Sequence, residues 1–268
     1  MTQFIQIFLG ILIVLLGILT IRKYPLSKKV DKLTKAALLV VITLILKRLT
    51  IMIPLFGAES LKLGFEYLPM MIAGFLLGPS YGFMIGLCCD LIGLIITPTG
   101  FPFLGFTLGT ILVCWIPGMV RQLMKELEIK KVSKITFAIL LMIGLGAMIF
   151  VYSLDSITIS SVVYEVDRVS KMILMAVSLL FIVIFGVILL TITKKMNIKE
   201  SKIFPLWLLS VVLVELVVTL GMTPTWLQIM YGIPYWLSAC VRIIKLVFVI
   251  PLEIIVGFII VRSVDRLS

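Results

Sequence analysis

Long apolar blocks follow one another along the chain, separated at near-regular intervals by short polar or charged stretches. They predict helical spans near 4–21, 36–56, 64–78, 80–97, 103–120, 135–153, 172–193, 203–222 and 237–261, several of them close to the ~20 residues a bilayer crossing needs. Their apolarity is uniform and lacks the ten-residue alternation of a membrane β-barrel. The fold class expected is therefore an all-α polytopic membrane protein.

The most patterned part of the chain lies between Leu77 and Gly118, where two spans flank the turn Pro98-Thr99-Gly100-Phe101-Pro102. Gly78, Gly82 and Gly86 recur every four residues and Asp90 is the next step. Four residues advance about 400° around a helix, so these positions share one slowly drifting stripe. Small residues in such a stripe let a second helix approach closely in lipid. Asp90 then ends a packed seam instead of facing acyl chains, and an ionisable group at that depth points to a site.

Composition supports the membrane reading: 62% of the 268 residues are hydrophobic, and the mean hydropathy is +1.26. The first block carries no charge, is not preceded by a basic residue and is not followed by a small-x-small cleavage site, so an uncleaved helix is expected. The net charge of +11 acquires meaning from its placement. Residues 22–35 hold six Lys or Arg, 121–134 five, 194–202 four and the C-terminal tail two, whereas the opposite loops hold only Lys62, Arg168 and Lys171. That asymmetry predicts an outward N-terminus and a cytoplasmic C-terminus, and it accounts for the charge without nucleic acid.

The chain has no histidine, which removes imidazole chemistry and His-ligated metals. Cys88, Cys89, Cys114 and Cys240 all fall within spans and show no metal-ligand spacing, so they read as small apolar residues. No G-x4-GK[ST] phosphate loop is present, so an ATPase of that type would have to be a separate subunit. No cofactor, metal or enzymatic activity is expected.

The predicted boundaries place Lys47, Arg48, Glu66, Asp90, Glu215, Arg242 and Lys245 in the outer half of the membrane. Lys47 and Arg48 differ by about 100° around their helix, so at least one should face protein. Charges at such depth must pair or line a cavity. One reading is a pocket, open to the outside, for an anionic, hydrogen-bonding solute with aromatic parts. The other is a set of ion pairs that hold helices together, with Lys47 and Glu215 as structural members. Trp226, Tyr231, Tyr235 and Trp236 lie in the expected outer loop 223–236, where interfacial aromatics are ordinary.

The run GFEYLPMMIAGFLLGPSYGFMIGLCCDLIGLIITPTGFPFLGFTLG resembles the substrate-binding S component of energy-coupling-factor (ECF) vitamin transporters, specifically the folate family. The segment TPTWLQIMYGIPYWLSACVRIIKLVFVIPLEIIV resembles the end of the same family, and Ala36–Ile53 its start. The D-x7-PTG-x4-GF run from Asp90 to Phe106 and the VRIIK run from Val241 to Lys245 are the most specific parts.

The resemblance implies a six-helix core with about three added helices. Residues 1–35 would be an added helix with a basic linker, 36–122 the first part of the core, 123–200 an inserted helical pair with basic flanks, and 201–268 the last two core helices. It further implies capture of folate from outside, docking on a membrane coupling subunit, and inward release driven by two ATPases. The substrate-binding residues expected are Arg48, Glu66, Asp90, Pro98, Thr99, Gly100, Trp226, Tyr231, Arg242 and Lys245. Family members often carry an Ala-x-x-x-Ala pair that packs on the coupling subunit, and the nearest match here is Ala37 with Val41. The rival readings are an S component for another vitamin or nucleobase-like solute, a multi-span membrane enzyme, and a structural membrane subunit.

Overall fold

The computed structural model describes residues 2–49, 51–55, 58–96, 102–153, 156–159, 162–165 and 198–267, together with positions 168, 172, 175, 176, 179, 180, 183, 186 and 187. Every long element is a helix. We label them α1 (Thr2–Lys23), α2 (Val30–Arg48), α3 (Tyr67–Leu77), α4 (Pro79–Ile96), α5 (Leu104–Met124), α6 (Ile129–Ser153), α7 (Ile198–Val214), α8 (Thr223–Tyr231) and α9 (Tyr235–Leu267), with a π-helical segment, Glu215–Met222, joining α7 to α8. The described positions between 168 and 187 are also helical. Among the described residues, four helices are long and apolar enough to cross a bilayer: Gln3–Lys23, Pro79–Ile96, Leu104–Met124 and the continuous Ile203–Tyr231.

Helices α3, α4 and α5 form a backbone-on-backbone core. The α3–α4 turn is a single residue, Gly78, whose φ of 95° lies where an L side chain is strained. Pro79 starts α4, where its missing N–H costs nothing. The stripe of small residues faces α5: a Cβ on Gly82 would stand 2.7 Å from the Cys114 carbonyl oxygen, and one on Gly86 would stand 2.6 Å from Ile111 Cα. A Cβ on Gly74 would overlap the same Cys114 carbonyl, and one on Gly118 would meet Pro79 N at 2.7 Å. Arg121 closes the end of this unit, its Nη1 donating to the Phe75 carbonyl at 3.0 Å.

Helices α7 and α9 complete the core. Trp207 is fully buried, packs edge-on against Phe75 with centroids 5.5 Å apart, and donates from Nε1 to the Glu253 carbonyl at 3.2 Å. Gly257 leaves room for that indole. Helix α6 packs on α7, with Thr136 Oγ1 donating to the Pro205 carbonyl at 3.3 Å, and Gly186 lies against Phe137 of α6.

Helix α1 is seated on the core along one face. Leu9 and Ile13 are buried with Phe83, Phe103, Leu108 and Ile111. The Phe83 ring lies against Gly17, and Trp115 Nε1 donates to Thr20 Oγ1 at 2.9 Å. The other face, including Phe4, Ile7, Phe8 and Leu19, is exposed and suited to lipid.

Three expected boundaries are corrected. The span 36–56 ends as a helix at Arg48, and Ile51–Leu55 pairs with Ala58–Leu63 as an antiparallel hairpin, β1–β2. Pro54 explains the change: it cannot donate a backbone hydrogen bond, it pushes the preceding residue to extended geometry, and it sits where the register shifts between Ile53 and Leu55. The span 64–78 becomes the eleven-residue α3, too short to cross alone. The expected loop 223–236 is mostly helical, with Thr223 Oγ1 donating to the Val218 carbonyl at 2.7 Å, Pro224 in the first turn, and Gly232 at φ 67° ending α8. A second hairpin, β3 (Ser156–Ile159) with β4 (Val162–Glu165), follows α6. Strands β2 and β3 both contact α9.

Candidate functional site

Asp90 and Glu66 stand at one end of the core for a simple reason. Each lies twelve residues from the turn at Gly78, one down α3 and the other up α4. Antiparallel packing of these helices brings the two carboxylates to about the same depth, roughly 18 Å from the turn. The sequence pattern fixes the azimuth as well, since Asp90 continues the stripe that Gly82 and Gly86 press against α5.

One turn beyond the contact of Gly86 with Thr110 and Ile111, the backbone seam is replaced by a side-chain one. Thr110 Oγ1 donates to Asp90 Oδ1 at 3.3 Å, and also lies 3.0 Å from the Phe106 carbonyl. Asp90 is only 6% exposed, and its Oδ2 is buried with no hydrogen-bond partner. Lys47 reaches in from α2, its Nζ 2.8 Å from where a Cβ on Gly93 would be. Lys47, Asp90 and the Thr43 hydroxyl all act electrostatically on the Cys89 thiol. Lys47 is thus the member of the Lys47–Arg48 pair that faces protein, and Arg48 is exposed at the end of α2.

The second group surrounds Tyr67. Its hydroxyl lies in the combined field of Glu215, Glu66, Arg242 and Glu253. Glu66 precedes α3, and its carboxylate lies folded back against Gly64. Glu66 Oε2 is buried without a hydrogen-bond partner. Glu215 opens the π-helical segment at 2% exposure, and Glu253 of α9 is 1% exposed. Arg242 Nε donates to Ser238 Oγ at 3.4 Å and also interacts with Tyr67 and Glu215. Lys245 follows one turn later on α9. The interior groups named here are richer in carboxylates than in cations, so the deep part of the site is built to accept hydrogen bonds.

Trp226 of α8 packs on Phe103 with ring centroids 5.5 Å apart and covers Gly105, while its Nε1 is buried without a partner. Tyr231 is 58% exposed and joins neither group. Pro98, Thr99 and Gly100 lie outside the described residues. Ala37 and Val41 are both exposed on α2, so this expected docking face is open in the isolated chain.

Sequence reasoning overlooked Tyr67 and passed over Glu253 as a site residue. A tyrosine near a span end ordinarily belongs to the interfacial belt, and the only available signal was its position directly after Glu66. The π-helical segment that carries Glu215 inward also went unread, although such segments recur at functional sites.

Two resemblances bear on this arrangement. The family model for the ECF-type riboflavin transporter, S component, matches residues 27–195. The Folate transporter FolT of Clostridium novyi (strain NT) is 28% identical over 106 residues, which is 39% of this chain and 58% of that relative. The family match includes Lys47, Glu66, Tyr67, Asp90 and Thr110, whereas Glu215, Trp226 and Arg242 lie beyond it on α7–α9 elements that pack into the same core. A match over more than half of the chain, on a predominantly helical membrane fold, makes this protein a member of the ECF-type transporter S-component family, the vitamin-binding membrane subunits.

Proposed function

We propose that the protein captures folate, or a reduced relative, from outside the cell and hands it inward after docking on a membrane coupling subunit driven by two ATPases. The observation that carries the folate reading is Asp90: one carboxylate oxygen is held by Thr110, and the other is buried and unsatisfied. Leaving such an oxygen unpaired is costly, and a ligand donor would relieve it. A pterin offers a ring N–H beside an amino group, two adjacent donors that suit a carboxylate. Glu66 Oε2 is a second acceptor at similar depth.

Riboflavin is the second reading, favoured by the family whose model matches. The flavin pyrimidine edge presents one N–H between two carbonyls. Against a carboxylate those carbonyls repel, so an acceptor-rich interior favours the pterin. The glutamate tail of folate carries carboxylates, and cations suit it: Arg242 inside, Lys245 one turn on, and Arg48 exposed at the rim. Trp226 supplies a ring surface and an unsatisfied N–H donor.

In this arrangement the basic loops face the cytoplasm and the hairpins β1–β2 and β3–β4 lie outside. Ala37 and Val41 form the face for the coupling subunit. Titration of the purified protein with folate and with riboflavin tests the assignment. Folate should bind tightly, and Asp90→Asn should weaken it by about 10- to 100-fold through loss of a charge-assisted hydrogen bond. Tight riboflavin binding that Asp90→Asn leaves unchanged would overturn the folate reading.

A further inference from the structure

The linker between α1 and α2 is held in place although it is short of apolar contacts. Ser80 Oγ donates to the Tyr24 carbonyl and lies 3.3 Å from the Thr20 carbonyl, and Tyr81 donates to the Ser27 carbonyl. These bonds fasten residues 24–27 to the first turn of α4. On this fixed backbone residues 22–35 carry six cations, Arg22, Lys23, Lys28, Lys29, Lys32 and Lys35, against one acid. That acid, Asp31, is paired with Lys35 at 2.9 Å. Apolar side chains are exposed among the lysines: Leu26 is 37% exposed, Val30 76% and Leu33 64%.

Orienting a membrane protein needs only the charge count. It does not need a pinned backbone, nor large apolar side chains interleaved with the lysines and left open. Val30 and Leu33, three apart in the first turn of α2, share one helix face, and Leu26 is exposed in the non-helical segment just before it. The segment lies at the level where α1 has ended and α2 begins, so it sits beside lipid headgroups. A surface with cationic and apolar side chains together, fixed at that level, matches a phosphate headgroup with its acyl chains below.

We propose that residues 22–35 form a binding surface for anionic phospholipid of the adjacent leaflet, with Lys28, Lys29 and Lys32 contacting the headgroup phosphate and Leu26, Val30 and Leu33 the acyl region. The partner is the lipid and not free phosphate, because an inorganic anion would leave the exposed apolar residues in water. This surface is independent of which vitamin the protein carries.

Native mass spectrometry of the full chain, incubated with equal amounts of phosphatidylglycerol and phosphatidylcholine, reads the retained lipid. Phosphatidylglycerol should be retained preferentially, and retention should fall as salt rises. The triple substitution Lys28→Gln, Lys29→Gln, Lys32→Gln should reduce it about tenfold or more. Lys130→Gln, Lys131→Gln, Lys134→Gln, in the next basic cluster at the start of α6, should leave it unchanged, and Lys-to-Arg changes at the three linker positions should preserve it. Equal retention of the two lipids by the unaltered protein, equal loss in both triple variants, or displacement by inorganic phosphate overturns the proposal. So does a linker variant that keeps its lipid but no longer co-purifies with a coupling subunit, since the face would then belong to a protein.

Discussion

The seam between α4 and α5 can be tested by adding one carbon atom. In Gly86→Ala the new Cβ would lie 2.6 Å from Ile111 Cα and 2.8 Å from the Thr110 carbonyl oxygen, both backbone atoms that cannot rotate away. Comfortable contact begins near 3.4 Å, so the helices must part by about 0.6–0.8 Å (3.4 less 2.8, and 3.4 less 2.6). Carried to Asp90 one turn further on, that displacement stretches the 3.3 Å Thr110–Asp90 contact to roughly 4 Å, beyond hydrogen-bond reach. Overpacking costs about 1–3 kcal/mol. The helix propensity of alanine returns up to about 1 kcal/mol of it.

Gly86→Ala should therefore lower the thermal unfolding midpoint and weaken binding of the proposed ligand, folate, about tenfold or more. Gly146→Ala is the control, because a Cβ there meets nothing within 4 Å. It should leave binding unchanged and stability equal or slightly higher. Thermal unfolding of the purified protein followed by ligand titration gives both readings. If the two variants melt and bind alike, the close approach of α4 to α5 does not hold Asp90 in place, and the reasoning fails.

Further outcomes are expected elsewhere. Trp226→Phe keeps a ring against Phe103 but removes the unsatisfied indole N–H; affinity should drop by about tenfold with little change in melting, and unchanged affinity would exclude that N–H from the site. Trp207→Ala empties the centre of the core and breaks the bond to the Glu253 carbonyl, so denaturant unfolding should show a loss of about 3–5 kcal/mol. Gly17→Leu would drive a side chain into the Phe83 ring and should unseat α1, seen as faster proteolysis in residues 24–29; an unchanged cleavage rate would show that α1 is held by other contacts.

How far the sequence revealed this molecule depended on whether a residue's signal was local. Gly82, Gly86 and Asp90 were legible because a four-residue repeat fixes a helix face without knowledge of the partner. The carboxylate's position at the end of the seam followed from the same repeat. The hairpin at 51–63 was not legible, since Ile-Met-Ile-Pro-Leu continues an apolar run and a short run does not distinguish strand from helix. Pro54 was the available clue. Tyr67 and Glu253 take their meaning from neighbours supplied by α7 and α9, far away in sequence. Burial also divided the expected charges: Lys47 turned inward and Arg48 outward, a choice of about 100° that depends on where α4 lies.

The glycine contacts have a consequence for how such a molecule can change shape. Where main chain rests on main chain there are no long side chains to repack, so α3, α4 and α5 cannot slide or roll past one another by small adjustments. They behave as one solid block, with Asp90 and Thr110 carried on it. Any opening that admits a guest must then come from pieces outside the block, such as α2 and the π-helical joint before α8. Transport would leave half of the binding site standing still while the other half moves.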